Sequence, residues 1–264
     1  MKAAKLIPIL PALVLAACHN LPRPVPTLDP TLAVAQPRGI GPAQGVDLPT
    51  DASDVLNELK DSPIAFVARY YRDPASRWPA LSPSEAQRLS SLGLKIVAVW
   101  EPHSPDPAYF SYSAGYDDAI IAYRQAKAVG QPAGSAIYFA IDFDAQALDP
   151  IDQYFRGIAA GLAAASGGAA EYKVGVYGSG TVCEAVRQAG LAQYSWLSNS
   201  IAWAGSLNYN DWNIRQGGRL AGLSFNHDAD EARDDYGGFR LAQSEIAAPY
   251  AGAGPAAMTQ AAVP

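Results

Sequence analysis

The middle of the chain alternates between short apolar runs and longer segments in which apolar residues recur every three or four positions. Runs of the first kind are typical of buried strands, and segments of the second kind are typical of amphipathic helices. The runs predict strands at 45–47, 65–71, 95–100, 137–144, 173–177, 194–197, 212–216 and 223–227. Capping residues and stop glycines delimit helices between the earlier strands, at 51–60, 82–93, 116–130, 149–165 and 181–190.

The repeated order of strand and helix predicts a parallel sheet. With eight candidate strands, the leading architecture is an α/β fold, a closed (β/α)8 TIM-type barrel with reduced or missing helices between the last strands. A doubly wound open sheet is the alternative, but no glycine-rich dinucleotide loop follows the first strand to favour it. We therefore expect one barrel domain over residues 45–245.

The predicted fourth strand, 137–144, is the most informative stretch of the chain. Side chains of a strand alternate between the two faces of the sheet. One face of this strand is apolar and is expected to pack under helices; it comprises Ile137, Phe139, Ile141 and Phe143. The other face ends in Asp142 and Asp144, at the carboxyl end of the strand, where barrel enzymes place their active sites.

Asp142 and Asp144 are the leading catalytic candidates. Positions i and i+2 of a strand lie roughly 6.5 Å apart. Two carboxylates this close raise the pKa of one of them, which leaves an acid and a base together near neutral pH. Such a pair can cleave a glycosidic bond. The alternative for either aspartate is that it caps the following loop through backbone amides.

Other predicted strand ends also carry acids and aromatic residues. Asp47 follows the first strand and joins the catalytic candidates, although it could equally be a turn residue. The candidate substrate-binding residues are Glu101, Tyr70, Tyr177, Trp212, Gln216, Asp228 and Asp230, with Tyr71 and Trp203 as alternatives to two of the aromatics. Aromatic faces stack on sugar rings and paired acids cleave glycosidic bonds, so this composition favours a carbohydrate site.

Other chemistries are less well supported by the sequence. Ser179 lies in a Gly-Ser-Gly turn but lacks the complete nucleophile elbow, because residue 177 is Tyr. Cys183 is interpreted as a small buried apolar residue. His227 lies among acids, which leaves a metal-dependent phosphodiesterase as a weak alternative. The chain's 3 histidines have no paired spacing, so we expect no metal and no cofactor.

The two ends of the chain differ in composition from the middle. Lys2 and Lys5 precede an apolar core, and Leu15-Ala16-Ala17-Cys18 resembles a bacterial lipobox. These features predict a lipoprotein signal peptide over 1–17 and lipidation of Cys18, and the alternative is an ordinary secretory peptide with an incidental cysteine. A Pro-rich tether is predicted over 18–44, and a disordered Ala/Gly/Pro tail over 246–264. The expected location is the cell envelope, facing the periplasm or exterior.

Charge and hydropathy exclude some partners. The formal net charge is −6 and the sequence pI is about 5.0. Nucleic-acid binding normally requires a basic surface, so we expect no nucleic-acid partner. No apolar run is long enough to span a bilayer, so membrane contact is expected only through the N-terminal lipid. We expect a monomer.

The motifs, in their order, resemble a known bacterial family. They are Gly45-Val46-Asp47, the strand from Phe66 to Tyr71, the stretch from Ile137 to Asp144, Val174-Gly175-Val176-Tyr177-Gly178, and Gln216 followed by Asp228 and Asp230. Together they resemble the glycoside-hydrolase-like family formerly catalogued as domain of unknown function 1906, which is related to family 25 lysozymes. The resemblance covers residues 45–241 and implies a TIM-type barrel that acts on cell-wall glycan.

The resemblance also implies roles for individual residues. Family 25 enzymes carry an Asp-x-Glu pair at the end of strand four and acids at the first and last strands. The matching positions here are Asp142, Asp144, Asp47, and Asp228 or Asp230. Asp144 departs from the pattern, since it is one methylene shorter than Glu, and a misplacement of about 1 Å can cost roughly a hundredfold in rate.

Two functions therefore follow as hypotheses. The first is hydrolysis of peptidoglycan or a related polysaccharide, with Asp144 as general acid and Asp142 as its partner. The second is a non-catalytic glycan-binding or envelope-scaffolding barrel.

Overall fold

The computed structural model describes residues 42–102 and 106–242 as a closed barrel of eight strands, in the order in which they occur in the chain. The strands are β1 Ala43–Asp47, β2 Phe66–Tyr71, β3 Lys95–Trp100, β4 Ala136–Ala140, β5 Lys173–Gly178, β6 Tyr194–Leu197, β7 Ile214–Gln216 and β8 Asp228–Ala232. The predicted TIM-type barrel is confirmed. Cys18, the predicted signal peptide and the predicted tail lie outside the described residues, as does most of the predicted tether.

The eighth strand differs from its prediction in place and direction. Neighbouring strands from β1 to β7 are parallel, whereas β8 is antiparallel to both β7 and β1. The strand predicted at 223–227 was wrong, because those residues form an irregular loop before β8 begins at Asp228. β8 has the sequence Asp-Ala-Asp-Glu-Ala, whose acidic residues have low strand propensity, so the local pattern favours a loop.

Helices separate most of the early strands. They are α1 Leu56–Asp61, α2 Pro83–Ser91, α3 Tyr112–Val129, α4 Asp149–Ala165 and α5 Gly180–Gln188, with short 3₁₀ turns at Ala52–Val55 and Pro107–Tyr109. Within the described chain, no helix follows β6, which agrees with the reduced helices expected there. None of the described helices combines the length and apolar character needed to cross a membrane.

Two apolar layers hold the barrel together. The outer layer lies between strands and helices and includes Ile137, Phe139 and Ile141 of the fourth-strand segment. The inner layer fills the barrel and includes Tyr138 and Ala140 from the alternate positions. The predicted division of this segment into two faces is therefore confirmed as far as Ile141.

One buried ion pair fixes the chain next to the end of β1. Arg69 on β2 and Glu85 on α2 are both fully buried, and the Nε of Arg69 donates to Glu85 Oε1. Arg69 Nη1 also donates to the carbonyl oxygen of Leu48 at 2.7 Å, while Glu85 Oε1 accepts from the Ala52 amide at 2.8 Å. This network positions the backbone that follows Asp47.

Candidate active site

A cleft of about 310 Å³ opens where β1 to β7 end and β8 begins. Its lining combines four acids, three aromatic rings, three neutral polar side chains and two aliphatic residues. They are Asp47, Glu101, Asp142, Asp228, Tyr70, Tyr177, Trp196, Asn199, Ser200, Gln216, Val99 and Ala140. The structure thus brings together seven of the residues singled out in the sequence, which are Asp47, Asp142, Glu101, Tyr70, Tyr177, Gln216 and Asp228.

Asp47 is the most deeply buried acid of the cleft lining. The Tyr70 hydroxyl donates to its Oδ1 at 2.9 Å, and Gln216 Nε2 donates to its Oδ2 at 2.8 Å. Burial raises the pKa of Asp47 to about 7, and the negative charges of Asp228 and Glu101 add to this, while the two hydrogen bonds oppose it. Asp47 therefore exchanges its proton near neutral pH.

Asp142 is the exposed acid of the same cleft. Partial desolvation raises its pKa first, and the nearby charge of Glu101 raises it further, whereas the neighbouring Tyr177 hydroxyl lowers it. The Tyr177 hydroxyl, which lies beside Asp142, donates its one proton to Gln216 Oε1 at 3.0 Å. Because Gln216 in turn donates to Asp47, this network connects both acids across the mouth.

Glu101 follows β3 and is held by a cation. Arg72 Nη1 lies 2.6 Å from Glu101 Oε2, and the Arg72 guanidinium carbon lies 4.2 Å from the centroid of the Tyr70 ring. The pair is largely shielded, since the side chain of Arg72 is 9% exposed and that of Glu101 is 32% exposed. Arg72 thereby fixes the direction of the carboxylate that faces Asp142.

Asp144 does not reach the cleft. Its Oδ1 accepts a hydrogen bond from the backbone amide of Ala204 at 2.9 Å. The reason is that β4 ends at Ala140, so the alternation of a strand no longer applies two residues beyond Asp142. The sequence prediction that Asp142 and Asp144 face one site is not supported. Asp144 binds a backbone amide, as the alternative proposed, but the amide belongs to the loop after β6 and not to the loop that follows its own strand.

The two acids of β8 lie at different depths. Asp228 is paired with Asp47 in the ladder and lines the cleft, and burial raises its pKa while the neighbouring His227 and Arg219 side chains oppose this. Asp230 is paired with Gly45, deeper in the barrel, and is 1% exposed. Burial raises the pKa of Asp230 well above its usual value, and the charges of Asp47 and Asp228 add to this. Asp230 is an interior carboxyl group and does not line the cleft.

Trp212 lies at the opposite end of the barrel from the cleft. β7 begins at Ile214 and runs toward the cleft. Trp212 precedes β7 and therefore lies at the end of the barrel opposite the cleft. The guanidinium carbons of Arg233 and Arg215 lie 3.4 Å and 4.9 Å from its ring centroid. The predicted role of Trp212 in substrate binding is therefore not supported by its position.

Trp196, which was not among the site residues predicted from the sequence, is the tryptophan that lines the cleft. It lies on β6, two residues after Tyr194, so both side chains face the barrel interior. Its ring contacts that of Tyr177 edge to face, with 5.3 Å between the centroids. The period of two along β6 was the signal that could have identified it.

The remaining candidates have structural partners. Ser179 is buried and its Oγ accepts from the Val182 amide at 3.2 Å, so it caps α5. Cys183 is buried, and burial raises the pKa of its thiol to about 12. His227 Nε2 accepts from the Leu220 amide, which leaves Nδ1 to donate to the Phe225 carbonyl oxygen. Within the described ranges, no three His, Cys, Asp or Glu side chains form a group suited to a metal ion.

Comparison with known proteins gives a consistent result. The model of the Rv2525c-like, glycoside hydrolase-like domain family matches residues 57–240. An uncharacterized protein of Bacillus subtilis, YbfG, is 35% identical over 133 residues, which are 47% of this chain and 18% of that protein. The chain thus matches less than a fifth of the length of this relative.

Solved structures support the barrel fold. The Tat-secreted protein Rv2525c of Mycobacterium tuberculosis, solved in complex with HEPES, has a TM-score of 0.60 and 20% identity, covering 76% of this chain and 99% of that one. A family 25 glycosyl hydrolase from Bacillus anthracis has a TM-score of 0.50 and 15% identity, covering 75% and 94%. The resemblance found in the sequence is confirmed. Since the family model matches well over half of its residues, the chain belongs to the Rv2525c-like, glycoside hydrolase-like domain family.

Proposed function

We propose that the protein hydrolyses glycosidic bonds of peptidoglycan or a related polysaccharide in the bacterial cell envelope. The observation that carries this proposal is the convergence of Asp47, Glu101, Asp142 and Asp228 with three aromatic rings in one cleft at the mouth of the barrel. Glycoside hydrolysis requires paired carboxyl groups, and aromatic rings supply faces for sugar binding. Membership of a glycoside hydrolase-like family supports the same class of reaction.

Asp142 is the proposed general acid. Its raised pKa favours the protonated form, and its exposure allows it to reach a leaving oxygen. Glu101 is the proposed partner, because its negative charge acts on Asp142 and Arg72 fixes its carboxylate. Asp142 would give its proton to the glycosidic oxygen as the bond to the sugar carbon breaks, and Glu101 would accept a proton from the attacking water.

Asp47 and its two hydrogen-bond donors form the base of the cleft, where a sugar would bind. Tyr70, Gln216 and Tyr177 are held by one another and by Asp47, so their polar groups are already in place before a ligand arrives. Prior positioning of this kind lowers the entropic cost of binding. Asp47 thus serves in substrate binding in this proposal and holds the Tyr70 and Gln216 side chains in place.

A pair of isosteric variants tests the proposed acid. Asp142→Asn removes the transferable proton, and general acid catalysis is worth on the order of a hundredfold to ten-thousandfold in rate. Asp144→Asn retains an oxygen that can accept from the Ala204 amide, so it is expected to keep nearly normal activity. The measurement is the release of reducing ends from purified cell wall. Equal activity of Asp142→Asn and wild type would refute the assignment.

A second function is favoured by one specific observation. Asp144 occupies the position of the family 25 Glu, yet its carboxylate is bound to a backbone amide outside the cleft. A barrel that lost this acid while retaining the cleft could bind glycan or organise the envelope without turnover. Retention on insoluble cell wall without new reducing ends would support this function, whereas new reducing ends would exclude it.

We also propose a lipid anchor at Cys18, because Leu15-Ala16-Ala17-Cys18 matches a lipobox after a charged and apolar leader. The M. tuberculosis structural relative is described as Tat-secreted. Export of that protein supports an envelope location for this one.

A further inference from the structure

A second and larger cleft opens beside the candidate active site. Its volume is about 580 Å³, and it shares Glu101, Ala140 and Asp142 with the first cleft. From these residues it extends over the loop that follows β2, residues 72–78, which we call the β2 arm. A glycan chain bound at the acids therefore has a continuous path onto the β2 arm.

The β2 arm is fixed at both ends. The side chain of Gln125 on α3 accepts from the Arg72 amide at 3.0 Å and donates to the Arg72 carbonyl oxygen at 2.6 Å. After the arm, the Leu81 amide donates to the carbonyl oxygen of Tyr70 at 2.8 Å. Within it, Asp73 Oδ1 accepts from the Ala75 amide at 2.7 Å. These bonds give the arm a defined shape without a ligand.

The arm presents an aromatic ring beside a cation. Trp78 lines the cleft and is 43% exposed, although burying an aromatic ring of this size is normally favourable. The guanidinium carbon of Arg77 lies 5.4 Å from the Trp78 ring centroid. An exposed ring next to a positive charge is suited to a sugar that carries an anionic substituent.

Within the described part of the chain, Arg77 forms no ion pair with the acids of the second cleft, so its guanidinium is available to bind a ligand. Glu101 is paired with Arg72, and one oxygen of Asp73 is occupied by the Ala75 amide. Among residues 42–102 and 106–242, Arg77 makes no ion pair. In an acidic protein, this cation lies at the lip of a cleft whose other end is lined by carboxylates.

Arg72 supplies a second and independent observation. It lines the same cleft and is 8% exposed, yet its buried Nε has no hydrogen-bond partner in the structure. A buried donor left without a partner is costly and is rare in folded proteins. An acceptor oxygen brought by a ligand would satisfy it.

We propose that this second cleft is a subsite for a carboxylate-bearing sugar, with the ring stacked on Trp78 and the carboxylate bound by Arg77 and Arg72. This inference rests on the proposed action on glycan and deepens it. It narrows the ligand to anionic glycans, such as strands in which N-acetylmuramic acid carries a free lactyl carboxylate. Neutral chains of N-acetylglucosamine lack the group that Arg77 would recognise.

Two probes of equal length separate these ligands. The first is a peptide-free oligosaccharide of alternating N-acetylglucosamine and N-acetylmuramic acid, and the second is the matching chitin oligosaccharide. Binding is measured by calorimetry on proteins that all carry Asp142→Asn, so that neither probe is consumed. The anionic probe is expected to bind roughly fivefold more tightly, as a charge-assisted hydrogen bond would allow.

Three further variants test which side chains cause the tighter binding of the anionic probe. Arg77→Gln is expected to abolish the fivefold ratio, whereas Arg124→Gln, which removes an exposed cation on α3, is expected to leave it unchanged. Trp78→Ala is expected to weaken both probes to a similar extent. Thermal melting of each variant verifies that it is folded.

The outcomes separate this inference from the function on which it rests. If both probes bind equally to the protein that carries only Asp142→Asn, or if Arg77→Gln retains the ratio, the subsite is refuted and the glycan function stands. If neither probe binds, both are refuted. A lost ratio in Arg77→Gln with retained binding of the chitin probe supports the subsite.

Discussion

At the scale of single residues, the site depends on which acids are buried and which are held by amides. Asp47, Asp142 and Asp228 all line the cleft and all have raised pKa values, with desolvation as the largest cause. Asp144 lies only two residues after Asp142, but a backbone amide binds it instead. Proximity in sequence therefore did not determine which acids act together.

Asp47 should make the protein less stable as the pH rises. Its pKa is about 7 in the folded protein, against an ordinary value of 3.8, so the folded state holds the proton more tightly than the unfolded chain does. The proton on Asp47 therefore stabilises the folded protein in full below about pH 4. This stabilisation is lost as the pH rises toward 7. Asp47→Asn should flatten the dependence over this window, as measured by chemical denaturation at several pH values.

The matched control for this prediction is Asp61→Asn, because Asp61 is exposed on α1. It should reproduce the wild-type dependence. A dependence that is as steep in Asp47→Asn as in wild type would show that other buried acids, such as Asp230, account for the slope.

At the scale of elements, α3 and α4 approach each other closely. Glycines at the contact permit this approach, since a Cβ at Gly157 would meet the carbonyl oxygen of Tyr112, and one at Gly115 would meet that of Tyr154. β4 lies between the two helices in the chain, and it carries the residues that lead to Asp142. The close packing of α3 against α4 therefore depends on glycine at both positions.

Gly157→Ala should destabilise the protein despite the higher helix propensity of Ala. The propensity gain is about 1 kcal/mol, whereas overpacking a close contact costs about 1–3 kcal/mol, and here the obstacle is backbone. The net effect is a loss of stability, measured as a lower denaturation midpoint. As a control, Ala164→Gly at an exposed position of α4 should cost only about 1 kcal/mol. An increased midpoint for Gly157→Ala would contradict the packing argument.

The sequence predicted the elements with strong local patterns and missed those set by contacts across the barrel. The period of two along Ile137 to Ile141 correctly identified the faces of β4, because both faces are buried in apolar layers. The place where β4 ends was not encoded in that pattern, and this led to the wrong pairing of Asp142 with Asp144. β8 is acidic and is held as a strand by pairing with β1 and β7, which no local pattern shows.

At the scale of the whole molecule, the barrel has one open and one closed end. The segment after β8 closes the end opposite the cleft, where Phe239 and Ile96 exchange backbone hydrogen bonds of 2.7 and 2.9 Å. β1 also begins at this closed end, at Ala43. A chain that leads from an anchor into β1 therefore reaches the barrel on the side away from the cleft.

Acylation of Cys18 should hold the protein at the membrane through the chain that leads into β1. The residues between Cys18 and Ala43 can reach at most on the order of 80 Å when fully extended. Cys18→Ser should release the protein from the membrane fraction without changing its melting temperature, because the barrel begins at Ala43. Mass spectrometry of the N-terminal peptide provides the direct measurement. An unmodified Cys18 in membrane-fractionated protein would contradict the anchor.

Because β8 runs antiparallel to β7, the loop that connects them lies at the cleft and can be replaced to change ligand choice. Both ends of residues 217–227 lie at the mouth, because β7 finishes there and β8 starts there. In a barrel whose strands are all parallel, the connection between the last two strands must return to the closed end, so only part of it borders the ligand. Here the whole loop could be exchanged as one cassette to alter ligand choice, while the ladder pairing β8 with β1 and β7 remains intact.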